Sequence, residues 1–172
     1  EQSWQKLKNS NKEPVTYEND KLLGWKPKKG IHTFRPWSTN GKQTNLTVLE
    51  NGSRLTSNLN FTGKKEILFI GGSITQGWAV DDKETFPWLL QEKLKEFKVN
   101  NFGVGGYGGF QSMLLLEKIF EKKKNVKYVV YGFIPHHEVR NIATGSWMHL
   151  LARFSNRGIA ELPYASLDKN NK

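Results

Sequence analysis

The segment Glu66-Ile67-Leu68-Phe69-Ile70-Gly71-Gly72-Ser73-Ile74-Thr75-Gln76-Gly77 constrains the fold more than any other part of the chain. An apolar run of strand length ends in two glycines, and a serine follows at once. The run reads as a buried strand bounded by a turn signal. The glycines permit a sharp backbone turn that places Ser73 at the strand's carboxyl end. In open α/β sheets ligands bind at that edge, which makes Ser73 a candidate nucleophile. The plainer alternative is a strand-to-helix turn with a capping serine.

Two further segments repeat the pattern. Lys98-Val99-Asn100-Asn101-Phe102-Gly103 reads as a second strand, followed by Val104-Gly105-Gly106-Tyr107-Gly108-Gly109. Lys127-Tyr128-Val129-Val130-Tyr131-Gly132-Phe133 reads as a third, followed by an Ile134-Pro135-His136-His137 loop. Between them, Phe86, Leu89, Leu90, Leu94 and Phe97 recur at helical spacing, as do Met113, Leu114, Leu116, Ile119 and Phe120. Alternating strands and helices imply a parallel sheet with right-handed crossovers. The expectation is that Ile67–Ile70 lies between Val99–Phe102 and Tyr128–Gly132. Ser73, the glycine loop and the His-His loop then meet at one edge of the sheet.

At these residues the chain resembles the SGNH hydrolases, the GDSL esterase/lipase family. Gly71-Gly72-Ser73-Ile74-Thr75 is similar to the family's first block, and Asn101-Phe102-Gly103-Val104-Gly105-Gly106 to its second. Gly77-Trp78-Ala79-Val80-Asp81-Asp82-Lys83-Glu84-Thr85-Phe86-Pro87 resembles the approach to the family's first helix. The resemblance spans roughly Ile67 to Asn141. It implies a flavodoxin-like three-layer α/β fold with a parallel sheet. It also implies a serine esterase or acyl hydrolase, or an acyltransferase, that needs no cofactor. Ser73 would attack the acyl carbon, and the backbone N–H groups of Ser73 and Gly106 would stabilise the oxyanion. Acylated carbohydrate is the first substrate class to consider.

The departures are as specific as the matches. Gly72 stands where the family usually has Asp. The third block is not Gly-x-Asn-Asp but Gly132-Phe133-Ile134-Pro135-His136-His137-Glu138-Val139-Arg140-Asn141. A longer loop would align one of the histidines with the oxyanion asparagine. His136 is the candidate, because histidine side chains serve as oxyanion donors; Asn141 is the weaker one. The aspartates are Asp20, Asp81, Asp82 and Asp168, and none has His three residues on. A serine hydroxyl needs a base, and the family's base is missing. His149, in what reads as a short helix over Ser146–Leu151, is a remote substitute. With three readable sheet strands where such sheets usually carry about five, the expectation is an incomplete fold: an N-terminal portion whose catalytic Asp and His lie beyond Lys172. The rival is a degenerate member that binds carbohydrate or serves assembly without catalysis.

Residues 1–62 do not read as α/β. Gly30-Ile31-His32-Thr33-Phe34-Arg35 and Thr44-Asn45-Leu46-Thr47-Val48-Leu49 alternate as short strands do, and Asn51-Gly52 is a turn signal. We expect an N-terminal β extension after a polar leader, and an SGNH-type domain over residues 63–172. The chain opens on Glu1 with no apolar signal core or membrane span, as a mature exported protein or a trimmed chain would. Periplasmic or extracellular location is the expectation. Cysteine is absent, which removes disulfide and thiolate chemistry. Asn45, Asn51 and Asn60 each open an Asn-x-Ser/Thr triplet, a pattern common by chance.

The net charge is +10. Runs such as Lys26-Pro27-Lys28-Lys29 and Glu121-Lys122-Lys123-Lys124 read as solvated faces. With no nucleic-acid-binding signature beside them, nucleic acid is an unlikely partner. The charge suits an anionic polysaccharide equally well, and Arg140 could bind an anionic substrate group. Trp78 reads as core packing before it reads as a sugar platform. The histidines and carboxylates lack metal-ligand spacing.

Overall fold

The computed structural model of the protein describes residues 16–35, 42–59, 61, 65–152 and 161–166. Seven strands, five α-helices and one 3-10 turn at Asp82–Glu84 are distinguished among them. The strands are β1 (Tyr17–Asp20), β2 (Gly24–Pro27), β3 (Gly30–Phe34), β4 (Thr44–Val48), β5 (Lys65–Gly71), β6 (Phe97–Gly103) and β7 (Val126–Gly132). The helices are α1 (Ser73–Gln76), α2 (Phe86–Lys93), α3 (Gly109–Phe120), α4 (His136–Asn141) and α5 (Gly145–Ala152).

The centre is a three-stranded parallel sheet in the order β6-β5-β7, as the alternation of apolar runs requires. Its middle strand is buried from Ile67 to Gly71. Leu68 and Ile70 pack with Phe102 and Ile119 of α3, whereas Ile67 and Phe69 pack with Val99 and with Leu90 ahead of β6. Helices on opposite faces of one sheet make three layers. Strand β7 is one of the two edge strands, and its Tyr128, Val129, Val130 and Tyr131 are all exposed.

Helix α2 is shorter than its apolar spacing suggests. It ends at Lys93; Leu94 is already extended, and Phe97 begins β6. The reason is Gln91. Its buried amide donates to the carbonyls of Leu94 and Phe97 and accepts from the Val99 N–H. One side chain thus satisfies backbone groups that another helical turn would have satisfied. The His136-His137 segment also differs from expectation. It opens a helix after Pro135 rather than forming a loop, consistent with the fixed φ of proline favouring a helix start.

The N-terminal extension holds two antiparallel pairs. β3 pairs with β4, as the alternation implies. The β1–β2 hairpin lies within the segment read as a polar leader, and the correction matters for the site. Its turn buries Leu23 against Val104 and Tyr107. Arg54 joins the extension to the sheet, forming bridges to both Val48 and Asn101. Its side chain is 1% exposed. Nε donates to Asp82 Oδ1 at 2.8 Å, and the other nitrogens donate to the carbonyls of Asn45, Gln76, Gly77 and Val80. Asp82 also accepts from the Thr47 N–H. The leader residues 1–15, Asn60 and the polar tail from 167 on lie outside the described residues.

Candidate active site

In a sheet of order β6-β5-β7 the chain leaves β5 for β6 on one side and crosses back from β6 to β7 on the other, and in open α/β sheets ligands bind outside the carboxyl ends of the strands where the order reverses, here β5 and β7. Ser73 lies there. It is the first residue of α1, directly after Gly71 and Gly72, and is partly exposed. As the first N–H of a helix, the Ser73 amide has no intrahelical acceptor.

The glycine loop after β6 is tied to this turn. The Val104 N–H donates to Gly71 O at 2.9 Å. The Gly105 N–H donates to Gln76 Oε1 at 3.0 Å, and the Tyr17 hydroxyl donates to the same oxygen at 2.8 Å. Burial pushes the Tyr17 phenol up to about 12, so at neutral pH it holds its proton and donates. The indole Nε1–H of Trp25 donates to Gly105 O at 3.0 Å. The peptide joining Gly105 to Gly106 is trans, so its N–H points opposite to its carbonyl. Holding the carbonyl on Trp25 therefore turns the Gly106 N–H away from the indole. That N–H finds no acceptor among the described residues. Gly106 itself has φ +85, and Trp25, Leu151 and Trp147 sit 3.0 to 3.5 Å from where a Cβ would be. Both facts require glycine.

In the third segment it is His137, not His136, that packs against the Ser73 turn. Along a helix, residues 137, 140 and 141 share a face. His137 is buried, whereas His136 is exposed. The His137 Nε2 and the Arg140 Nη1 lie 2.7 and 2.8 Å from the position of a Cβ on Gly72. Any side chain at residue 72 would have to displace the ends of both. His137 Nδ1 bonds the Tyr131 hydroxyl at 2.7 Å. Burial, then the charges of Arg140 and His136, hold the imidazole below its ordinary pKa, so it is neutral at pH 7. Arg140 donates to Tyr107 O at 2.9 Å, and its guanidinium stacks 4.8 Å from the Trp147 ring. Asn141 Oδ1 accepts the Phe110 N–H and so serves α3.

His149 lies exposed on α5. Trp78 is partly buried just beyond α1. Among the described residues no group of three or more His, Asp or Glu is placed to hold a metal, and no helix is long and apolar enough to cross a membrane. A shallow depression between Leu59, Trp88 and Lys95 shares no residue with this constellation. In comparisons with known proteins, no family model and no curated protein matches the chain.

The sequence brought Ser73 and Gly106 to attention through their glycine blocks. It gave no local signal for Trp25, Tyr17 and Gln76, which act through bonds spanning 29 to 80 residues.

Proposed function

We propose that the protein is an SGNH-type serine acyl hydrolase or acyltransferase acting on an ester-linked acyl group carried by a carbohydrate. The observation that carries this reading is the Gly106 N–H, without an acceptor among the described residues, in a loop bonded to the Ser73 turn at the carboxyl edge of the sheet. Ser73 Oγ attacks the acyl carbon, and the carbonyl oxygen takes up negative charge. The N–H groups of Ser73 and Gly106 are the backbone donors for that charge, and such preorganised donors are a large source of acyl-transfer catalysis. The Ser73 proton goes to a base, which the chemistry requires and no Asp-x-x-His in these 172 residues supplies. No cofactor enters the reaction.

Release of 4-nitrophenolate from 4-nitrophenyl acetate tests the reading. Hydrolysis that depends on Ser73 supports it. Binding of an acetylated saccharide without ester loss, by the parent and Ser73→Ala alike, would favour a carbohydrate-binding module instead.

Two smaller effects follow from the geometry. Trp25→Phe keeps an aromatic ring but frees the Gly105 carbonyl. It is expected to slow Ser73 acylation by about tenfold, up to the cost of losing one oxyanion donor, while thermal stability stays nearly unchanged. Equal acylation rates would remove Trp25 from the account. His136→Ala alters an exposed side chain, and turnover is expected to stay within about twofold because exposed positions are usually neutral. A tenfold loss would return His136 to the site in place of His137.

A further inference from the structure

Where the nucleophile turn meets α4, donors outnumber acceptors. Among the described residues two buried side-chain nitrogens have no hydrogen-bond partner: His137 Nε2 and Trp147 Nε1. Arg140 lies between them, against Gly72 on one side and stacked on the Trp147 ring on the other. It has no carboxylate within ion-pair distance among the described residues. Guanidinium and indole nitrogens can only donate. When the Tyr131 hydroxyl donates to His137 Nδ1, the remaining imidazole proton sits on Nε2, which makes a third donor. Buried donors left unmatched are costly, and a half-buried guanidinium without a counter-ion is more so.

We propose that His137, Arg140 and Trp147 form a subsite for a carboxylate that the substrate carries beside its ester. A planar two-oxygen anion matches the fork of Arg140, whose guanidinium carbon lies 4.8 Å from the centre of the Trp147 ring. Ser73 directly follows Gly72, so the carboxylate sits next to the reacting bond. Helix α5 seals the site. It brings Trp147 and buries none of its residues fully. It joins α4 through Ala143, whose φ of +48 is the one left-handed non-glycine backbone among the described residues. Displacement of this helix admits the ligand. The net charge of +10 favours approach of an anionic chain. Naming the ligand as substrate rests on the hydrolase reading; the donor cluster does not.

The test is an NMR titration of the 15N-labelled 172-residue protein with sodium acetate, against sodium chloride at equal ionic strength. The Trp147 indole signal is assigned by its loss in Trp147→Phe. A saturable shift of that signal with acetate is expected. Arg140→Gln should weaken binding about tenfold or more, since charge-assisted bonds are lost. Arg140→Lys keeps the charge without the fork and should weaken it several-fold. Its spectral dispersion shows that the fold persists. No saturable shift, an equal response to chloride or inorganic phosphate, or unchanged affinity in Arg140→Lys would overturn the subsite. Ester hydrolysis with imidazole supplied as the base is scored in parallel on the parent. Its absence with acetate binding intact removes the hydrolase reading and leaves the carboxylate site.

Discussion

Ser73→Ala is expected to abolish ester hydrolysis. With imidazole supplied as an external base, the parent should hydrolyse 4-nitrophenyl acetate well above the rate of imidazole alone. The alanine variant should fall back to that rate, a loss on the order of a hundredfold or more. The argument is local. The hydroxyl is the side chain that the Gly71-Gly72 turn delivers to the carboxyl edge of the sheet, and alanine keeps the turn while removing the nucleophile. The fold should not change, because Ser73 is only partly buried and starts a four-residue helix. Without imidazole the parent should be slow, since loss of the base commonly costs several orders of magnitude. Fast turnover without added base would mean that a base exists within the chain, with His137 the first to test.

The second large effect is on stability. Arg54→Met should destabilise the protein by about 3–5 kcal/mol, the usual cost of removing one partner of a buried ion pair. Arg54 uses all its donors, on Asp82 and on four carbonyls that the chain turns inward around α1. The substitution strands Asp82, which is 6% exposed. Pairing it with Asp82→Leu should recover part of the loss, because the buried charge then goes too. Urea unfolding measures both. A loss below about 1 kcal/mol would mean that the extension is not anchored through Arg54.

Strands β5, β6 and β7 were legible because each combines a β-rich apolar run with a glycine turn, signals that depend on neighbours in sequence. The β1–β2 hairpin was not. Tyr17-Glu18-Asn19-Asp20 and Gly24-Trp25-Lys26-Pro27 carry three charged residues between them, and their buried contacts lie across the molecule at Gly105 and Tyr107. Arg54 hides for the same reason: its five bonds reach residues 9 to 28 positions away. The choice between His136 and His137 turned on a helix that Pro135 could have signalled. Once residues 136–141 are helical, both histidines are spaced to neighbour Arg140, and what separates them is burial: His137 is buried and His136 is exposed.

The most direct test of the account is covalent labelling of the protein by an alkyl fluorophosphonate in the presence of imidazole, mapped by peptide mass spectrometry. The account predicts one adduct per chain, on Ser73, slowed in Trp25→Phe and absent in Ser73→Ala. Labelling confined to other residues and unchanged in Ser73→Ala would contradict it.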